Sequence, residues 1–81
     1  MNAATYFDSF LLQIKLATNR DRLQDISYRA MIHPGTTAQQ ASMITSLCVY
    51  RENIINGATD DDLAACARYL KIPKKLTNKI K

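Results

Sequence analysis

The sequence predicts an all-α fold: a small single domain of four to five helices with a long central third helix. Apolar residues recur at three- and four-residue spacing through most of the chain, which is the periodicity of amphipathic helices. Two glycines and two prolines interrupt 81 residues, and this scarcity favours long helices over a fold with many turns. The hydrophobic content of 47% is too high for a disordered chain. We therefore predict one domain over residues 1–81, in which 68–81 form a basic C-terminal segment.

Two amphipathic helices are predicted before Pro34. In the first, residues at helical spacing form an apolar face: Phe7, Phe10, Leu11, Ile14 and Ala17. Three more apolar residues widen this face, so we expect neighbours on two sides of the helix: Tyr6, Leu12 and Leu16. After a boundary at Asn19 and Arg20, the second helix directs four residues inward: Leu23, Ile26, Ala30 and Met31. Its Asp25 and Arg29 form an outward i,i+4 pair, and Pro34 ends it because proline disfavours helical geometry in the preceding residue.

A long central helix is predicted between two local signals. Thr37 and Gln40 have the spacing of a capping box at its start, and Gly57 suits the left-handed position that follows a helix end. The apolar residues between them cover more than one face: Ala41, Met43, Ile44, Leu47, Cys48, Tyr50, Ile54 and Ile55. Because an exposed surplus of apolar surface favours association, a homodimer is also expected.

A fourth helix is predicted to begin at Thr59, since Thr59 is a good N-cap and the aspartates at 60–62 complement the dipole of a first helical turn. Its inward residues are Leu63, Cys66, Ala67 and Leu70. Pro73 then either stops this helix or opens another. Residues 74–81 are accordingly a short basic helix or a frayed tail.

The stretch 74–81 offers two apolar anchors, Leu76 and Ile80, beside four lysines. We therefore expect it to bury little surface, and its removal to leave the fold intact while abolishing nucleic-acid affinity. The alternative is that Leu76 and Ile80 cover the open end of the helical bundle.

Charge is distributed unevenly along the chain. Six of the eleven basic residues lie at positions 68–81 without an acid among them, whereas the other 67 residues carry five basic and seven acidic side chains. A segregated field of this kind does not cancel over the surface. It favours a polyanionic partner such as DNA, or an acidic protein surface.

No residue pattern indicates catalysis, a metal or a cofactor. The aspartates at 60–62 lack the alternating ligands and terminal glutamate of a calcium loop, and His33 is the single histidine. Cys48 and Cys66 lie at apolar helical positions, so we expect buried reduced thiols rather than a disulfide. No secretory leader and no apolar run of about 20 residues is visible. We expect a non-enzymatic, soluble, cytoplasmic protein.

Residues 63–80 resemble a helix-turn-helix. In this interpretation Ala67 is the small inward residue, Leu70 and Ile72 anchor the turn, and Ile80 packs a second helix that starts at Pro73. Lysines would contact phosphates and Asn78 a base edge, giving a predicted nucleic-acid surface: Arg68, Lys71, Lys74, Lys75, Asn78, Lys79 and Lys81. Two features depart from the motif, since Lys71 replaces the turn glycine and Thr77 occupies an expected apolar site, one position after Leu76. The alternative is a solvated basic tail.

A second resemblance begins upstream. Residues 10–17 (FLLQIKLA) and 21–26 (DRLQDI) are similar to the opening of the Hha/YmoA family of enterobacterial nucleoid modulators. Thr36 and Thr37 fit that family's cap, Ser46 and Arg51 its serine and arginine, and residues 69–73 (YLKIP) its late Lys-Ile-Pro segment. The resemblance covers about half of the chain and implies a small helical protein of bacterial nucleoid regulation.

The chain departs from that family at two places. Extra residues lie around 56–67, and Val49 stands where the family carries an acidic residue that engages the oligomerisation domain of the nucleoid protein H-NS. The resemblance therefore implies a nucleoid or regulatory protein as partner, without assigning H-NS itself.

Two functions remain open at the level of sequence. The first is a small regulator of transcription or nucleoid structure that uses protein contacts and a basic end near DNA. The alternative is a phage, plasmid or immunity-type protein that binds a single protein target. Large side chains would anchor a protein partner in either case, and Tyr28, Met31 and Tyr50 are the candidates.

Overall fold

A computed structural model describes the backbone of residues 3–81 and the side chains of residues 6–81. Over this range the fold is all-α, as predicted, with a long third helix at its centre. Five helices follow one another: α1 (Ala3–Leu16), α2 (Arg20–Ile32), α3 (Ala38–Ile55), α4 (Asp60–Leu70) and α5 (Lys74–Ile80). None of the helices in this part of the chain is long and apolar enough to cross a membrane.

The 18-residue helix α3 organises the packing. It contacts each of the other four helices, and α1 in addition contacts α2 and α5. The largest fully buried side chains come from α1, α2, α3 and α5: Ile14, Ile26, Ile44, Leu47, Tyr50 and Ile80. The apolar faces of α3 that led us to expect a homodimer are thus largely covered within one chain.

Side-chain caps start α2, α3 and α4. The Asn19 side chain accepts the backbone N–H of Arg22 at 2.8 Å at the start of α2. Thr37 and Gln40 form the predicted capping box at the start of α3, and Thr59 forms another with Asp62 at the start of α4. Each cap satisfies backbone N–H groups that have no partner within the helix. Local sequence therefore sets these boundaries.

Helices α3 and α4 end in the same way. After α3, the N–H of Gly57 donates to Ile54 O and that of Ala58 to Asn53 O, both at 3.0 Å. After α4, the N–H of Lys71 donates to Arg68 O at 3.2 Å and that of Ile72 to Ala67 O at 2.9 Å. Both sets are the paired bonds of a Schellman motif, which requires a left-handed residue. Gly57 adopts it with φ 82°, and Lys71 with φ 57°.

Three apolar side chains that we expected to pack are exposed. Leu12 and Leu16 are 58% and 67% exposed, and Met31 is 63% exposed. Helix α1 does contact three other helices, but its buried residues are on the face that contains Phe10 and Ile14. The expectation was wrong for these three residues, because none of the described helices covers Leu12 and Leu16 of α1 or Met31 of α2.

The expectation that residues 74–81 bury little surface is also wrong. They form helix α5, in which Leu76, Thr77 and Ile80 are buried, and this helix packs on α1 and α3. Leu76 and Ile80 belong to the main core. Helix α5 therefore closes one end of the bundle, and the short basic segment is part of the fold rather than a tail.

Arg51 joins the ends of two helices. From α3, its Nη2 and Nε donate to Ala17 O at 3.2 and 3.3 Å, and its Nη1 donates to Ile80 O at 3.4 Å. These carbonyls lie at the C-terminal ends of α1 and α5, where helix carbonyls lack intrahelical partners and carry partial negative charge. The guanidinium group thus fixes α1 and α5 against α3.

Candidate nucleic-acid interface

The C-terminal cationic face is built by α4, the turn after it, and α5. We use this name for seven exposed residues, all of them predicted from the sequence: Arg68, Lys71, Lys74, Lys75, Asn78, Lys79 and Lys81. Because the buried residues of α5 hold it on the bundle, these side chains extend from a folded surface. The structure thus brings together the residues that the sequence analysis assigned to nucleic acid.

The basic groups of this face differ from those of α2 in their partners. Among residues 6–81, the ion pairs join Arg20 to Glu52 at 3.5 Å, and both Arg22 and Arg29 to Asp25 at 3.1 and 3.0 Å. No basic residue of positions 68–81 takes part in an ion pair in that range. Their charge is therefore not neutralised by neighbouring carboxylates and remains available to an external anion.

The exposed side of α5 has two flanks, one on each side of Asn78. Its buried residues Leu76, Thr77 and Ile80 occupy one side. At 3.6 residues per turn, the remaining positions follow one another around the exposed side in the order Lys81, Lys74, Asn78, Lys75 and Lys79. Asn78 therefore lies at the middle of the exposed arc, with two lysines on either flank.

A groove of about 370 Å³ runs between α4 and α5. Four basic residues of the cationic face line it: Arg68, Lys71, Lys74 and Lys81. The other lining residues are one acid, Asp60, together with Tyr50, Ala64, Ala67, Ile72 and Thr77. Lys75, Asn78 and Lys79 do not line the groove, so the structure divides the predicted nucleic-acid residues into a groove set and an outer set.

Tyr50 has a different place from the one we predicted. We expected an exposed anchor for a protein partner, but Tyr50 is 2% exposed and belongs to the core. It lines the groove between α4 and α5. Helix α3 is covered on this side by the helices that follow it, so Tyr50 is unavailable to a flat protein surface and forms part of the groove floor.

The other two predicted partner-binding residues are exposed. Tyr28 and Met31 are 60% and 63% exposed, and Ile32, which the sequence analysis did not select, is 62% exposed. Because these positions are three and four residues apart on α2, they share one side of the helix. We call them the α2 apolar patch.

The two cysteines are free thiols. Cys48 is buried, and desolvation raises the pKa of its thiol from 9.0 to about 12. It is thus protonated at neutral pH, and the thiol rather than the nucleophilic thiolate is present. The structure gathers no group of three or more His, Cys, Asp or Glu side chains with metal-binding geometry within the described residues.

The segment that resembles a helix-turn-helix consists of α4, the turn after it, and α5. Lys71 adopts the left-handed conformation for which such turns use glycine. Pro73 is the N-cap residue of α5, so this helix begins at Lys74, one residue later than predicted. Helix α4 packs on α3, whereas α5 packs on α1 and α3. Val49, which marked the departure from the Hha/YmoA pattern, is 42% exposed on α3.

Comparison of the chain with models of known protein families, with characterised proteins and with solved structures finds no match. The class of protein is therefore defined by the fold and the surface: a small helical bundle with a cationic C-terminal face. The resemblances to a helix-turn-helix and to the Hha/YmoA family stay predictions.

Proposed function

We propose that the protein is a non-catalytic regulatory protein of the bacterial cytoplasm that binds DNA through its C-terminal cationic face. The observation that carries this proposal is the set of six exposed basic side chains without ion-pair partners in residues 6–81, in a segment whose apolar residues pack in the core. Phosphate contacts from such side chains supply most of the sequence-independent affinity for DNA.

The shape of α5 supports a DNA partner. A helix is about 10–12 Å in diameter with its side chains, and the major groove of B-DNA is about 12 Å wide. With α5 in that groove, the lysines of its two flanks reach phosphates, while Asn78 faces the base edges. Asparagine bonds adenine through two hydrogen bonds, so we propose Asn78 as the base-contacting residue.

The proposal includes a protein partner in transcription or nucleoid regulation. The α2 apolar patch supports it, since adjacent exposed tyrosine, methionine and isoleucine side chains provide the large anchors that interfaces use. The patch is on α2, whereas the cationic face is on α4 and α5. The two surfaces would thus engage two partners at once.

DNA binding is tested by fluorescence anisotropy with a 20-base-pair duplex at 50 and 200 mM salt. Each neutralised phosphate adds about 0.9 to the magnitude of the log–log salt slope, so we expect a magnitude of about 3.6 to 5.4 for four to six contacts. The control is a variant in which Arg22 and Arg29 are replaced by glutamine. Absence of wild-type binding at 50 mM salt would contradict the proposal.

The second candidate is a phage, plasmid or immunity-type protein that binds one protein target, and the α2 apolar patch is the observation that favours it. Affinity purification from a bacterial lysate, with and without nuclease, separates the two functions. A protein that co-purifies equally in both samples, and that is lost with Tyr28→Ala and Met31→Ala, would favour the second candidate. Recovery that depends on nucleic acid would favour the first.

A further inference from the structure

The cationic face is not uniform, because four of its seven residues line a groove and three do not. Arg68, Lys71, Lys74 and Lys81 surround the groove between α4 and α5. Lys75 and Lys79, on the other flank of α5, do not line this groove. From this asymmetry we infer that the α4–α5 groove is a specific site for one backbone phosphodiester of DNA, held by groove lysines and the Tyr50 hydroxyl. The inference rests on the DNA-binding function proposed above.

The floor of the groove provides the second observation. Tyr50 is 2% exposed yet lines the groove, and its hydroxyl takes part in none of the hydrogen bonds between residues 6–81. Among the described residues, the buried side-chain oxygen without a hydrogen-bond partner is Thr36 Oγ1 and not the Tyr50 hydroxyl, so the hydroxyl is not an unsatisfied buried group. A phosphate oxygen in the groove would accept a hydrogen bond from it, and tyrosine hydroxyls are established phosphate contacts in protein–DNA interfaces.

The charge along the groove places the anion at one end. Asp60 is the first residue of α4 and Arg68 lies near its last turn, about 12 Å away at 1.5 Å per residue. Lys71 follows α4 directly and Lys74 opens α5 three residues later, so both are close in sequence to the Arg68 end. An anion is therefore repelled from the Asp60 end and attracted to the end lined by Arg68, Lys71 and Lys74.

The conformation of Lys71 agrees with this assignment. Lys71 has φ 57°, a conformation that is unfavourable for a residue with a β-carbon and in which glycine carries no such penalty. A strained residue at a turn points to a role for its side chain. Here the lysine adds a positive charge to the groove that glycine would not supply.

The groove and the outer flank of α5 offer matched variants. Lys74→Ala with Lys81→Ala, and Lys75→Ala with Lys79→Ala, each remove two exposed positive charges from the same short segment. Pure long-range attraction weakens DNA binding equally in both. If the groove holds a phosphate, the Lys74/Lys81 variant loses direct charge-assisted bonds to it. We then expect its affinity for a 20-base-pair duplex to fall at least about fivefold more than that of the Lys75/Lys79 variant.

Tyr50→Phe tests the floor of the groove. The substitution removes the hydroxyl and keeps the ring in the core, so the melting temperature is expected to stay unchanged or to rise slightly. DNA affinity is expected to fall about tenfold, the loss for one hydrogen bond to a charged acceptor. A fall in melting temperature with unchanged affinity would show that the hydroxyl is structural and would overturn its assignment.

Methyl resonances of Ala64, Ala67 and Ile72 report on the groove directly. We expect these signals to shift when the duplex is added and to stay in place with inorganic phosphate at the same phosphate concentration. Shifts with inorganic phosphate and none with the duplex would assign the groove to a free phosphorylated ligand and overturn the inference.

If the wild type binds DNA and both lysine pairs lose affinity equally, the proposed function stands and the groove site is overturned. If the wild type binds no DNA, the proposed function fails, and the inference with it.

Discussion

Helices α2 and α5 use charge in opposite ways. In α2, Arg22 and Arg29 pair with Asp25, and Arg20 pairs with Glu52 of α3. The exposed positions of α5 and the following Lys81 are four lysines and one asparagine. None of them makes an ion pair within residues 6–81. The positive charge of α2 is therefore balanced locally, whereas that of α5 is directed to solvent.

The apolar side chains of the two helices also differ: those of α5 are buried, whereas several of those of α2 are exposed. The three apolar or hydroxyl side chains of the α5 interior, Leu76, Thr77 and Ile80, are all buried, whereas α2 leaves Tyr28, Met31 and Ile32 exposed. A helix with paired charges and exposed apolar residues favours a protein surface. A helix with buried apolar residues and unpaired charges favours a polyanion. The division of labour between the two surfaces follows from this difference.

The largest effect is expected from the two isoleucines of these helices. Ile80 is fully buried and Ile32 is 62% exposed. We expect Ile80→Ala to lower the free energy of unfolding by about 3 kcal/mol, because it leaves a cavity in the core. Ile32→Ala should change it by less than about 0.5 kcal/mol. Urea denaturation followed by circular dichroism measures both, and equal losses would contradict the packing of α5.

Arg51 is expected to matter more for stability than the paired arginines of α2. Arg51→Met removes bonds from a guanidinium to the carbonyls of Ala17 and Ile80, and we expect a loss of about 2 kcal/mol in the free energy of unfolding. Arg29→Met removes an exposed ion pair with Asp25 and an exposed hydrogen bond to Gln13, and we expect a loss of at most about 1 kcal/mol because both are open to solvent. Thermal denaturation of the two variants measures both losses of stability. A larger loss of stability in the Arg29 variant would refute the role of Arg51 as a link between helices.

DNA affinity should depend on α5 and not on α2. Replacing both Lys74 and Lys75 by glutamine is expected to weaken binding about tenfold at 0.1 M salt, because two phosphate contacts are lost. Replacing both Arg22 and Arg29 removes the same charge, but from side chains already paired with Asp25. We expect this change to be less than about twofold, and anisotropy titrations of the two double variants measure the contrast. Similar losses would mean that net charge alone governs binding.

The smallest effect is expected at the two Schellman turns. Lys71→Gly should raise the free energy of unfolding by about 0.5–1 kcal/mol, because glycine adopts the left-handed conformation without penalty. Gly57→Ala should lower the free energy of unfolding by a similar amount, because φ at Gly57 is 82° and alanine is strained there. The added β-carbon meets no other atom within 4 Å, so this loss comes from the backbone conformation and not from a clash. Denaturation curves test the signs. A destabilised Lys71→Gly variant would show that the lysine side chain itself holds the turn.

Part of the candidate site was predictable from sequence. Six residues of the cationic face were identified from the concentration of basic side chains at 68–81 and Asn78 from the resemblance to a helix-turn-helix, and all seven are exposed. Their separation into a groove set and an outer set was not predictable, because it depends on how α4 and α5 lie against α3. The position of Tyr50 at this groove was not predictable for the same reason, because an apolar helical pattern does not show which residue borders a groove.

The sequence by itself determined the helical class and several helix boundaries. Thr37 with Gln40, Thr59 and Gly57 act through hydrogen bonds and dihedral angles that span only a few residues, so their effect is readable without the fold. Tertiary structure alone decided that α5 is part of the core, that Leu12, Leu16 and Met31 face solvent, and that Lys71 takes a left-handed conformation. These outcomes depend on which helices are available to cover a surface, and that is a property of the packed bundle rather than of any local segment.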